Sequence, residues 1–223
     1  MSTILNIDTA SSTAFIGIAK DGICLQNISN ENQKDHAAFL HGAIQEILKV
    51  SSITINELDA IAVNEGPGSY TGLRVGMASA KGLCFALNKP LITVNSLELL
   101  ATAVAAEIGK DSDSLICPMI DARRMEVFTA LFTAKLQQLE APHALILNES
   151  SFSHYLDTQP FIFCGDGAQK FLKIISHPNA SLLNTDSLHT AFSQMSYQRY
   201  LQANFMNLAY SEPFYLKDFQ DNR

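Results

Sequence analysis

Cysteine is scarce in this 223-residue chain, and its four copies, Cys24, Cys84, Cys117 and Cys164, form no CxxC pair. Each stands in an apolar context such as Leu83-Cys84-Phe85, so they read as buried, reduced thiols. Histidine offers no metal site either. His36 and His41 lie five residues apart, about 140° around a helix, and cannot chelate one ion as an i,i+4 pair does. Serine hydrolysis has no local signature, because Ser69 follows Gly-Pro-Gly instead of sitting in Gly-x-Ser-x-Gly. Basic charge is short as well: 15 Lys and Arg stand against 22 Asp and Glu, a net charge of −7. The basic residues are scattered apart from Arg123-Arg124, which argues against a chain that grips RNA by itself. No basic leader precedes the polar-interrupted Ile4-Leu5-Asn6-Ile7-Asp8, so neither a signal peptide nor a spanning helix is expected, which points to the cytoplasm.

What is present suits a sizeable core, with 47% hydrophobic residues over a length that allows one domain or two small lobes. Thr3 to Ala10, Ala14 to Lys20 and Ile23 to Ile28 read as an antiparallel meander with Asp21-Gly22 as a hairpin turn. An amphipathic helix from Asp35, its N-cap, to Val50 carries Leu40, Ile44, Ile47 and Leu48 on one face. A strand near 60–64, a glycine loop, a helix over about 72–87, a strand over 91–94 and a helix from about 96 to 108 follow. Ile116 to Asp121 and Val127 to Thr133 then restart the opening pattern, and both first strands end in aspartate. Residues 137–160 and 176–190 are too irregular to assign.

The segment Gly66-Pro67-Gly68-Ser69-Tyr70-Thr71-Gly72-Leu73-Arg74-Val75-Gly76 joins a buried strand to an apolar helix. Its glycines permit close backbone approaches, Ser69 or Thr71 can cap the helix, and unpaired amides there suit an anion. The spacing fits neither a dinucleotide fingerprint nor a P-loop, since Gly72 is followed by Leu73-Arg74. A tight turn without ligand and a phosphate site both remain open on these rules. Asp8, beside Thr9, Ser11 and Ser12, is open in the same way between capping a turn and holding a metal-bound phosphate. Asp121 has Arg123 and Arg124 beside it and reads as half of an ion pair. Along the next helix Gly72, Gly76 and Ala80 recur every four residues, a stripe for close helix packing inside the monomer or against a partner.

The glycine segment resembles the signature of the TsaB (YeaZ) family, which assists threonylcarbamoylation of tRNA adenosine. Ile4-Leu5-Asn6-Ile7-Asp8-Thr9-Ala10-Ser11, Val94-Asn95-Ser96-Leu97-Glu98 and Ile120-Asp121-Ala122-Arg123-Arg124-Met125-Glu126-Val127 are similar to the same family over roughly the first 135 residues. The resemblance implies the α/β actin/Hsp70/sugar-kinase superfold: two βββαβα lobes, 1–110 and an abbreviated 111–223. It implies a non-catalytic scaffold and activator that dimerises with TsaD, the ATPase TsaE docking on the pair, tRNA met only through the complex, and no membrane. Catalytic relatives carry Asn-His-x-x-x-His for a metal, and aligning Asn95 puts Ser96 and Leu100 at those histidines, which removes metal and transferase chemistry.

By the same resemblance, the first two helices hold the TsaD interface, through Phe39, Leu40, Ala43, Ile47, Tyr70, Leu73, Gly76, Met77 and Ala80, and a homodimer could use the same helices. No intrinsic cofactor is implied. ATP or ADP belongs to the complex, with Asp8, Gly66, Gly68, Ser69 and Gly72 as the phosphate vicinity. The alternatives are a small nucleotide-dependent kinase or phosphotransferase of the same superfold, built on Asp8 and the glycine loop, and a plain self-associating module.

Overall fold

The computed structural model describes residues 1–31 and 36–217. Aliphatic runs become strands: β1 (Thr3–Asp8), β2 (Ala14–Lys20) and β3 (Ile23–Asn30) form the expected meander. Asp21 and Gly22 turn it with φ of 50° and 81°, the left-handed pair that matches strand twist. Two parallel strands, β4 (Ala60–Gly66) and β5 (Leu91–Asn95), extend the sheet to the order β3-β2-β1-β4-β5. Three helices connect and follow these strands: α1 (His36–Val50), α2 (Tyr70–Leu87) and α3 (Ser96–Ile108). Asp35, the expected cap of α1, lies outside the described residues.

The second sheet repeats the first strand for strand. β6 (Leu115–Asp121), β7 (Glu126–Thr133), β8 (Gln138–Ile146), β9 (Phe161–Cys164) and β10 (Ala180–Leu182) take the order β10-β9-β6-β7-β8, with the same mixture of antiparallel and parallel pairs. The abbreviation falls on the helices. Where the first copy has helices of 15 and 18 residues, the second has α4 (Ser153–Leu156) and α5 (Ala168–Leu172), of 4 and 5. α6 (Leu188–Leu201) comes last. The duplicated α/β fold with a reduced second copy therefore stands as expected.

The chain does not divide at 110/111, however. Of the described residues, one compact unit comprises 1–31, 36–96 and 189–214, the other 97–188 and 215–217. Packing gives the reason. Leu97, Ala101 and Val104 of α3 share a core with Ile116, Ile120 and Phe132, whereas α6 returns to the first sheet, where Phe192 meets Phe15 edge-on at 5.7 Å and Ser193 Oγ accepts from Asn6 Nδ2 at 3.2 Å. The second unit has its own aromatic centre of Phe161, Phe163 and Phe171, all fully buried.

In the first unit, α1 and α2 cover one face of the sheet. Leu40, Ala43 and Ile47 of α1 and Met77, Ala80 and Cys84 of α2 pack on Leu5, Ile7, Ile16 and Ile18, and burying each large side chain contributes roughly 1.5–3 kcal/mol. This corrects the small-residue stripe. Leu40, Ala43, Ile47, Leu73, Gly76, Met77 and Ala80 are buried within the monomer and offer a partner nothing; of the nine residues expected at an interface only Phe39 and Tyr70 keep part of their surface. After α6 the chain runs as a strap. Met206 N donates to Leu91 O at 2.9 Å along the outer edge of β5, Lys81 Nζ donates to Ser211 O at 2.7 Å, and Phe214 N donates to Glu65 O at 2.7 Å. Among the described residues no helix is long and apolar enough to cross a membrane.

The two kinds of glycine on α2 predict opposite outcomes. A Cβ at Gly72 would lie 2.0 Å from Thr9 O, a backbone atom that cannot move aside, whereas one at Gly82 would meet nothing within 4 Å. Gly72→Ala is expected to lose at least about 2–3 kcal/mol by overpacking, and Gly82→Ala to gain about 0.5–1 kcal/mol through helix propensity. Urea unfolding of both variants checks this; equal effects would refute the packing.

Candidate functional site

The site grows from the end of β1. Asp8 closes the strand, and the chain bends so that Asp8 Oδ1 accepts from Ala10 N at 2.9 Å, an Asx turn. Ala10 O then accepts from Ser69 N at 2.7 Å, and Thr9 Oγ1 donates to Gly72 O at 2.7 Å. Close contact here requires glycine: a Cβ at Gly68 would stand 2.2 Å from Ala10 O, and one at Gly76 2.4 Å from Thr9 Oγ1. Ser69 caps α2 by accepting from Gly72 N at 3.3 Å. The structure thus brings Asp8, Gly66, Gly68, Ser69 and Gly72 together around the β1 end and the α2 start.

A residue that the sequence reading did not single out ties them. Asn64, on β4 and 2% exposed, donates from Nδ2 to Asp8 Oδ2 at 2.9 Å, and its Oδ1 accepts from Gly66 N at 2.9 Å and from Ser96 Oγ at 2.7 Å. One buried amide therefore links β1, the glycine loop and the head of α3. The only sequence signal was a polar residue closing an otherwise apolar strand run.

Asp8 is 5% exposed, and burial raises its carboxyl above the usual carboxylate range, against the lowering effect of the bonds from Asn64 and Ala10. The actin-like fold implies a magnesium nucleotide at this strand end. The residues do not fit one: each Asp8 oxygen already accepts an internal bond, the Ser69 amide is committed to Ala10 O, and the loop lies against Thr9 and Ala10 at backbone distance. Among the described residues no group of three or more His, Cys, Asp and Glu is arranged to hold a metal.

The matching aspartate of the second unit differs. Asp121 is 41% exposed in its side chain and pairs with Lys170 Nζ at 2.6 Å, not with the adjacent arginines. Arg123 contributes only its backbone N to Asp121 Oδ1, at 2.6 Å, because left-handed φ values of 71° and 48° at Arg123 and Arg124 turn the chain tip outward. Asp166 accepts from Asp121 N at 2.9 Å, and burial raises its carboxyl. The cysteines are free, as read: Cys84, Cys117 and Cys164 are buried, with Cys84 and Cys117 pushed up to about 12 chiefly by desolvation, while Cys24 on the edge strand is half-exposed.

Two sheets of identical strand order, each with its first strand ending in aspartate, define a protein of the actin-like superfold. Residues 24–218 match the family described as TsaD: tRNA N6-adenosine threonylcarbamoyltransferase. The chain belongs to that family, and it is similar to proteins named TsaB and YeaZ. The tRNA threonylcarbamoyladenosine biosynthesis protein TsaB of Bacillus subtilis is 36% identical over 138 residues, 62% of this chain and 58% of the relative. The chain thus spans little more than half the length of that relative. The protein of the same description from Buchnera aphidicola subsp. Baizongia pistaciae is 28% identical over 180 residues, 78% of this chain and 80% of the relative. YeaZ from Pseudomonas aeruginosa superposes with a TM-score of 0.77 at 22% identity, over 97% of this chain and all of the other.

The raised Asp8 carboxyl gives a signed prediction. A carboxyl whose folded value lies above its unfolded value takes up a proton on folding as pH falls, so its destabilising ionisation is relieved in acid. Asp8→Asn has no such relief. The melting temperature of the parent relative to Asp8→Asn should therefore rise from pH 7 toward pH 4, other carboxylates cancelling in the difference. A constant or falling difference in paired thermal scans would count against the burial argument.

Proposed function

We propose that this chain is a non-catalytic partner and activator of TsaD in making N6-threonylcarbamoyladenosine next to the tRNA anticodon, acting in the cytoplasm. The observation that carries this is Ser96. Resemblance to the catalytic relatives puts it where the first metal histidine would stand, and here its hydroxyl is used internally, donating to Asn64 Oδ1. Leu100, in the place of the second, has no donor for a metal. The closed contact between the glycine loop and Thr9-Ala10 supports a chain that takes no nucleotide by itself and argues against the kinase reading. ATP or ADP then belongs to the complex, with TsaE docking on the pair and tRNA reached through it.

A scaffold of this kind works by fixing its partner's active geometry. The interface proposed is the outward side of α1 and α2, the opposite face from the one the stripe suggested. Arg74, Ala78, Gly82 and Phe85 follow one another at spacings of four, four and three, so they share a face of α2, and all four are exposed, Phe85 at 81%. On α1, Gly42 is exposed and Phe39 half-buried, while Tyr70 at the start of α2 holds the Arg74 guanidinium over its ring at 5.2 Å. Small residues around one exposed aromatic ring let a second helix pair approach closely and give it an anchor. A homodimer through this face is the competing state that TsaD would displace.

Phe85→Asp tests the interface. With so little of the ring buried in the monomer, its melting temperature should stay within about 2–3 °C of the parent. Co-elution with TsaD on size exclusion, and support of tRNA modification by TsaD, should both be lost. Normal co-elution of a well-folded variant would overturn the assignment.

A further inference from the structure

At the tip of the β6–β7 hairpin the backbone does something arginine does not favour. Arg123 and Arg124 both adopt left-handed φ, 71° and 48°, a pair of conformations that Asn-Gly takes with little strain and that a side chain with a Cβ resists. Strain of this sort persists where the surrounding structure imposes it. Here it turns both residues into exposed positions at the hairpin tip.

The charges around the tip point the same way. Asp121 is held by Lys170 at 2.6 Å and Glu126 by Lys217, so the two carboxylates flanking the turn are each neutralised by a lysine from elsewhere in the second unit. Among the described residues neither arginine guanidinium has a salt bridge or hydrogen bond. A protein of net charge −7 thus presents two adjacent guanidinium groups that pair with no acid among the described residues, the flanking carboxylates being neutralised by lysines. Guanidinium forks match the oxygens of a phosphate group, and adjacent ones suit successive phosphates of a polynucleotide.

From this juxtaposition we propose that the Arg123-Arg124 hairpin tip is a phosphate-binding element that grips the sugar-phosphate backbone of RNA. This deepens the functional reading and rests on it for the identity of the RNA. Two phosphate contacts are a weak grip alone, and they matter once a partner supplies the others. Backbone contacts of this type orient the nucleic acid and carry no sequence information.

The test separates charge from architecture with Arg123→Asn combined with Arg124→Gly, the pair that the turn geometry favours, and with Arg123→Lys combined with Arg124→Lys. The probe is an unmodified tRNA transcript, titrated by fluorescence anisotropy at several salt concentrations. The titrations use the chain mixed with TsaD and, at low salt, the chain alone. The Asn-Gly variant should melt at or above the parent temperature, bind the transcript about tenfold more weakly, and lose about 1.4–1.8 from the slope of log K against log salt. The Lys-Lys variant should keep the slope and most of the affinity. An Asn-Gly variant with parental affinity and slope in both arms would overturn the proposal, as would lost ATP binding with RNA binding intact, which would assign the phosphate to a nucleotide. Failure to associate with TsaD, seen as absent co-elution, sinks the functional reading alone, because the low-salt titration of the isolated chain still decides the arginine site.

Discussion

The first unit depends on the approach of the α2 backbone to the turn Thr9-Ala10. Ser69 N to Ala10 O and Thr9 Oγ1 to Gly72 O, each 2.7 Å, pull the helix onto the strand end. The distance they set leaves no room for a side chain at positions 68, 72 and 76. Three of the chain's 11 glycines are explained by that one contact. With the helix held there, Leu73, Met77 and Ala80 are carried into the interior and a different set of residues is left outside.

The polar core behind this contact is organised by Asn64. Its amide has a donor and an acceptor end, and both are used: the first on a carboxylate that burial would otherwise leave costly, the second on an amide and a hydroxyl. A side chain with only one kind of hydrogen-bonding atom could not serve both sides. The comparable position in the second unit is solved differently, with an exposed aspartate and a lysine. The two halves have therefore kept the architecture and diverged in chemistry.

Much of the fold was legible because its signals are local. Alternating aliphatic residues, Asp21-Gly22 and the glycine segment each announce an element within a few residues, and the repeat is visible because both meanders restart the same pattern. α4 and β10 escaped because helices of four residues and strands of three are too short to show a period, and β8, nine residues long, escaped because Pro142 and its irregular burial break the alternation. The side of α2 that faces inward could not be read from Leu73, Val75, Met77, Leu83 and Phe85, which surround the helix; the position of Thr9 decides it. Adjacency also misled at Asp121, where the turn sends Arg123 outward and the partner, Lys170, comes from 49 residues further along. Return of α6 to the first sheet is a long-range event with no local mark.

The strap from Met206 to Phe214 bears on the order in which this chain is made. An uncovered edge strand is a template for pairing with other chains, and the cover for β5 leaves the ribosome more than a hundred residues after the strand does. Until that segment has been made, the outer edge of β5 has no cover. The half-exposed, uncharged β3 at the other end is present from the start. Covering β5 makes the late segment a protective closure for the sheet as well as a structural one.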